Sequence, residues 1–329
     1  MLYTPICDYF GIKYPIVLAG MGGVAMHQLV AAVSNAGGLG VLGAATLGPE
    51  QLREEIRKTR ELTDLPFAVD LLAPLPEMMR PHMPVLIEEK VRVFVAGLAV
   101  PSEFIQTMHE HGMKVVVMCG KVHHALKAQE AGADVVVAQG TEAGGHTGEI
   151  GGMSLVPQVI DAVRLPVLAA GGIADGRGVA AALALGAVGV VVGTRFIATP
   201  EAAAAIEYKE AIVGGQDDGT MRTRCYTGKP CRVIRNPYAS EWEKDPSKIK
   251  PFPQQVMVSH QNHVMNFSAE HADPQRVFMP AGQGSGLIKQ IKPTAEVFAD
   301  LVRETEEAIA KMGALLNRPS GAAHAANLR

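Results

Sequence analysis

Aromatic residues make up only 5% of this 329-residue chain, and one residue is tryptophan. Cysteine is also sparse. Cys7, Cys119, Cys225 and Cys231 are scattered, and the last pair has five residues between its members. Zinc sites are usually built on closer pairs, with a second pair beside the first. Free thiols in a reducing cytosol are therefore expected, and with them a cytoplasmic protein. The net charge of −3 leaves no basic field to hold a nucleic acid. No apolar run approaches the ~20 residues that a membrane helix needs. The opening MLYTPICDYFGIKYP has no basic start followed by an apolar core, so no signal peptide is expected. Without secretion, the Asn266-Phe267-Ser268 sequon carries no meaning. No P-loop, H-E-x-x-H or EF-hand pattern occurs. Gly38, Gly40 and Gly43 do match G-x-G-x-x-G, but they follow an expected helix (27–36) and lead into a strand. A dinucleotide fingerprint needs the reverse order.

What is abundant is glycine, at 35 residues, in a chain that is 48% hydrophobic and 19% charged. Eight short apolar runs can be picked out: 15–21, 40–46, 67–72, 91–98, 114–119, 134–139, 166–170 and 189–194. Most are continuous Val, Ala, Leu or Ile rather than alternating, the mark of parallel strands covered on both faces. Helical stretches separate them, at 51–62, from Ser102 onward, and at 125–131, 154–163 and 176–185. Eight strand–helix units in roughly 210 residues fit an α/β protein with a closed (β/α)8 TIM barrel. An open doubly wound sheet is the rival. Residues 1–213 and 288–316 are assigned to the barrel. The irregular stretch 214–287 is read as an inserted cap after strand eight, with a last helix over 293–316 and a flexible tail over 317–329.

Three turns carry the chemical signal, because loops after barrel strands all emerge at the end where active sites lie. They are GTEAGGHTGEIGG (140–152), AAGGIADGRG (169–178) and GTRF (193–196). Gly171 and Gly172 let backbone N–H groups approach an anion, and Gly193 and Thr194 add donors from the next strand end. Tight turns alone would account for either cluster singly; together they point to a phosphate site. His146 stands among glycines and titrates near neutral pH, so it is the candidate acid/base group. Glu142 is either its orienting partner or a surface acid. His260, His263 and His271 form only a loose group, and no metal site is assigned. Arg222, Arg224, Lys229, Arg232 and Arg235 form an acid-free basic run, either a solvated face or an anion-holding rim.

The chain resembles the nitronate monooxygenase (2-nitropropane dioxygenase) family, a relative of flavin-dependent enoyl-acyl carrier protein reductases. The resemblance rests on YPIVLAGMGG (14–23), NAGGLGVLGA (35–44), EAGGHTGEIGGMSLVPQV (142–159), AAGGIADGRGVAAALALGA (169–187), GTRFIATPEA (193–202) and MPAGQGSGLI (279–288). It implies FMN as cofactor. Gly20 and Met21 should then lie against the flavin ring. Gln139, Gly144 and Gly145 should meet the flavin or its ribityl chain. Gly171, Gly172, Gly193 and Thr194 should hold the phosphate, Ala170 and Asp70 should also belong to the cofactor site, and Gln283 and Gly284 should close it. His146 falls where the family places its base or acid. There is one departure: nitronate-oxidising members commonly carry Asn where this chain has Asp70, in FAVDLLAP (67–74). As an anion near the flavin, Asp70 would oppose a nitronate.

The resemblance implies an FMN-dependent monooxygenase that converts nitronates or nitroalkanes and O2 to a carbonyl compound and nitrite. The alternative is an NAD(P)H-dependent flavin reductase acting on a quinone or an enoyl or acyl thioester. On either reading the partners are a small-molecule substrate and O2 or NAD(P)H as cosubstrate. The oligomeric state, a homodimer included, is left open.

Overall fold

The computed structural model describes residues 2–74, 76–268 and 270–316. Eight parallel strands form one sheet: β1 (Ile16–Leu18), β2 (Gly40–Gly43), β3 (Phe67–Leu72), β4 (Val93–Gly97), β5 (Lys114–Cys119), β6 (Val135–Gln139), β8 (Val167–Ala170) and β9 (Gly189–Val192). The hydrogen-bonded order is β1-β9-β8-β6-β5-β4-β3-β2. The two ends meet through a parallel bridge between Val17 and Leu39, with Leu18 N–H donating to the Leu39 carbonyl at 2.9 Å. The barrel is thus closed, and the open-sheet rival is excluded.

The continuous apolar runs make sense in this setting. Along β6, Val137 and Gln139 face the barrel interior, while Val136 and Ala138 are buried beneath the outer helices. A strand covered on both faces has no solvent side to mark with polar residues. Helices at His27–Asn35, Pro49–Leu62, Val122–Glu130, Gly152–Ala162 and Gly176–Ala184 fill the crossovers, and the long Thr294–Leu316 helix packs against the last of these.

Several sequence expectations need correction. The Ser102 helix begins only at Ile105, after a turn over 102–104. Three strands end two or more residues before their apolar runs do. β1 stops at Leu18, β2 at Gly43 and β9 at Val192, so Gly20, Met21, Gly193 and Thr194 lie in or beyond turns. Pairing ends there because the backbone bends into the site; Thr194–Ile197 is already a short helix. The 214–287 stretch is not irregular throughout. It holds β10 (Thr220–Thr223) and β11 (Cys231–Ile234), an antiparallel pair. β11 also pairs with the two-residue strand β7 (Gly145–His146) in the loop after β6. Arginines and a proline-bounded turn had masked this hairpin in the sequence. The expected tail, 317–329, lies outside the described residues.

Candidate active site

The loops at the C-terminal ends of the barrel strands, together with residues from 227 to 284, enclose a cavity of about 640 Å³. That lies in the usual range for small-molecule sites. The barrel supplies its floor, with Val41, Val95, Val137, Leu168 and Val191 pointing inward. Phe252, Val256, Met265, Phe267 and Phe278 supply an apolar wall on the other side. No helix among the described residues is long and apolar enough to cross a membrane.

The loops after β6, β8 and β9 converge on this one cavity. Ala170, Gly171, Gly172, Gly193 and Thr194 all line it. Gly171 and Gly172 have φ of +101° and +72°, a region that side chains other than hydrogen rarely allow. A Cβ on Gly171 would sit 3.0 Å from the Gly140 carbonyl and 3.1 Å from the Ala143 nitrogen. The Thr194 hydroxyl accepts a hydrogen bond from Gly282 N–H at 2.9 Å, which ties the 281–284 turn to the same corner. Glycines at 171, 172, 193 and 284 leave backbone, not side chains, around this part of the cavity. Backbone of this kind, free of side chains, has the form that an anionic group such as a phosphate can approach.

His146 also lines the cavity. Its placement is fixed from three sides. Its backbone belongs to β7, opposite Cys231 of β11. Its carbonyl accepts from the Gln139 side-chain amide at 3.2 Å. Its Nε2 lies 2.9 Å from the Thr227 hydroxyl oxygen. That hydroxyl also lies 3.2 Å from the Lys229 carbonyl oxygen, to which it can donate, and accepts from Lys229 N–H at 3.3 Å. When Thr227 passes its hydrogen to Lys229, Nε2 carries the imidazole hydrogen and Nδ1 keeps its lone pair; the reverse tautomer follows when Thr227 donates to Nε2. Nδ1 makes no hydrogen bond among the described residues, yet it is not a sealed, unpartnered atom. Burial, followed by the charge of Lys229, pushes the imidazole down to about 4. It is neutral at physiological pH.

Asp70 is 7% exposed and faces the same cavity. Burial pushes its carboxyl up to about 8. The shift favours the uncharged acid at neutral pH over the anion that the sequence suggested. The physical reason is desolvation with no cation beside it.

Other expected residues fall into place unevenly. Gly20, Met21, Gln139, Gly144, Gly145 and Gly284 all line the cavity. Gln283 does not: its side chain is exposed, and only its N–H is engaged, with the Glu142 carbonyl. Glu142 does not orient His146. Both its oxygens accept from Gly152 N–H at 2.9 Å, at the start of the Gly152–Ala162 helix. The basic run is not one rim. Arg232 is buried and donates to the Thr141 carbonyl and the Thr220 hydroxyl, while Arg222 pairs with Glu149 at 3.2 Å. No group of His, Cys, Asp or Glu among the described residues suits a metal. Thr227 and the apolar wall were missed by sequence reasoning. Only the β-hairpin brings residue 227 to residue 146, and no local pattern announces it.

A family model described as nitronate monooxygenase matches residues 4–84 and 79–304. The chain belongs to the nitronate monooxygenase family. Members are flavin-dependent oxidoreductases, and this chain is one. A probable nitronate monooxygenase from Staphylococcus saprophyticus is 34% identical, over 93% of this chain and 98% of that protein. A 5-hydroxy-7a-methyl-1-oxo-octahydro-1H-indene-4-carboxyl-CoA dehydrogenase from Rhodococcus jostii is 43% identical, over 74% of this chain and 68% of that one. The solved structure of FabK from Thermotoga maritima superposes with a TM-score of 0.87 at 37% identity, covering 96% of this chain and all of that one.

Proposed function

We propose that this protein binds FMN and oxidises nitronates, or the nitroalkanes that give rise to them, with O2 to a carbonyl compound and nitrite. One observation carries the reading: a neutral imidazole whose Nδ1 has no partner among the described residues shares a cavity with a corner lined by glycine backbone. The residues fit FMN. Gly171, Gly172, Gly193 and Thr194 would hold its phosphate, and Gly20, Met21 and Gly144 would flank its ring. When bound, FMN supplies the acceptor for the substrate's electrons and their onward route to O2.

The chain's own residues supply position and proton transfer. His146 Nδ1 takes the proton α to the nitro group of a neutral substrate. Thr227 and Gln139 hold the ring and its loop, so the lone pair stays aimed into the cavity. The apolar wall keeps water from the reacting carbon. A protonated imidazole could not accept that proton, so the lowered value favours proton removal over proton donation at neutral pH.

Thr227→Val removes the bond that fixes the imidazole without filling the cavity. The expected result is a fall in kcat/KM for neutral nitroalkanes of about 3- to 10-fold, the range of one hydrogen bond's net worth. FMN affinity should not change, and Thr227→Ser should restore activity. Steady-state oxygen uptake measures it.

A second reading is favoured by the apolar wall, which exceeds what a small nitroalkane covers. An NAD(P)H-dependent reductase or a dehydrogenase acting on an acyl thioester would use that wall for its acyl chain. The R. jostii relative, named for a CoA ester, points the same way. Anaerobic mixing with NADH, NADPH and propyl-2-nitronate decides between the two. Nitronate should bleach the flavin quickly and drive oxygen uptake in air. Fast bleaching by a pyridine nucleotide, with none by nitronate, would replace the first reading with the second.

A further inference from the structure

Asp70 is the acid that the mechanism above does not use. It sits on β3, paired in register with Gly43 of β2 and Val95 of β4. Its side chain leans on the turn after β1. A Cβ on Gly20 would stand 2.2 Å from the Asp70 Cβ and 2.7 Å from Oδ2, so Gly20 is required for the carboxyl to be there at all. On the other side, a Cβ on Gly97 would lie 3.8 Å from Oδ1. Neither carboxyl oxygen has a hydrogen-bond partner among the described residues, and neither is a sealed atom. A carboxyl that opens into a cavity without a protein partner is placed to hydrogen-bond to whatever occupies that cavity.

No charged group faces it. Gly20 and Met21 from the β1 turn, Gly43 from β2, Leu72 on its own strand, and Val95 and Gly97 from β4 carry no charge. The other titratable groups lining the cavity are His146, Tyr208 and His260, and no lysine or arginine lines it among the described residues.

We propose that Asp70 is a proton-coupling residue of the flavin, placed beside the ring so that, at a pH where its carboxyl is ionised, it takes up a proton from solvent when two electrons enter the cofactor. The proposal rests on FMN occupying this cavity with Gly20 and Met21 against its ring, as argued above. The balance is simple. Two electrons and one proton convert the oxidised ring to its reduced anion. If Asp70 is already a carboxylic acid, it donates a hydrogen bond to that ring and the stoichiometry stays at one proton. If Asp70 is a carboxylate, the new negative charge beside it draws a second proton onto the carboxyl oxygen. Reduction then consumes two electrons and two protons, with the electrons supplied by the substrate or an external reductant.

Burial places the change of regime near pH 8, where the carboxyl titrates in the free cavity. An asparagine at this position keeps the donor and cannot titrate. The flavin of such a variant should behave at every pH as the native flavin does at low pH. The Asp/Asn difference therefore makes the redox balance of this chain pH-dependent in the alkaline range.

The test is the reduction potential of FMN-loaded protein, measured by dye equilibration from about pH 6 to about pH 10. In the native protein the slope of potential against pH should double on passing above about 8. In Asp70→Asn a single slope should run through the whole range. A native plot with no break, or a break that survives in Asp70→Asn, overturns the proposal. If Asp70→Asn will not fold, Asp70→Ser, which also cannot titrate in this range, takes its place with the same expected single slope. Native protein that takes up no FMN would instead overturn the cofactor reading beneath it, a different and separately visible failure.

Discussion

Replacing His146 by alanine should lower kcat/KM for neutral nitroalkanes by about 10²- to 10⁴-fold, the usual worth of a positioned general base. FMN should stay bound, because the imidazole lies on the β7–β11 side of the cavity and the glycines proposed to hold the phosphate lie on other loops. Substrate supplied already as the nitronate should lose far less, since its proton is gone before binding. That contrast separates proton removal from mere positioning; equal losses for both forms would remove the assigned role. The pH profile is the second check. With burial holding the imidazole at about 4, the active neutral form prevails through the whole physiological range. The native kcat/KM for neutral nitroalkane should be flat through neutrality and fall only as the pH drops through about 4. A fall near the ordinary histidine value of about 6.5 would mean that desolvation does not control this group. Oxygen uptake with paired neutral and ionised substrate gives all these numbers.

The barrel was legible because its signal is local and repeated. Each strand is a Val/Ala-rich run bounded by turns, and eight such runs with helices between them permit few architectures. Gly171, Gly172, Gly193 and Thr194 were legible for a related reason: two glycine-bearing turns at adjacent strand ends have one natural meeting place. Thr227 was not legible. It reaches His146 because β11 adds to β7, a pairing between residues about 85 apart in the chain, inside a stretch whose arginines read as surface. Arg232 misled in the same way. Its charge suggested a rim, whereas its guanidinium is turned inward to a backbone carbonyl and a hydroxyl. Asp70 was found but not the burial that raises its titration, since ionisation depends on what surrounds a carboxyl and not on its neighbours in sequence. Local pattern therefore carried the scaffold and the glycine-lined corner of the cavity, while the partners of the imidazole and the surroundings of the acid required packing.

Gly171→Val should weaken FMN binding sharply while the barrel still folds. The residue has φ of +101°, where a β-branched side chain is strained by about 1–3 kcal/mol, or roughly 5- to 150-fold in an equilibrium constant. The added Cβ meets the Gly140 oxygen at 3.0 Å and the Ala143 nitrogen at 3.1 Å. Both belong to the loop that carries His146, so relief of the clash must push the two loops apart and open the cradle. The strain alone would appear in stability wherever it occurred, which calls for a comparison. Gly112 has φ of +73°, and a Cβ there meets nothing within 4 Å. Gly112→Ala should therefore cost folding stability and leave FMN affinity as it was. Gly171→Val should cost both, with the affinity loss showing as dissociation of yellow colour on dilution. Fluorescence titration with free FMN, set beside thermal melts of both apoproteins, measures the two effects separately. If Gly171→Val melts lower but binds FMN like the native chain, the cradle lies elsewhere in the cavity, and the convergence of the loops after β6, β8 and β9 serves packing rather than a phosphate.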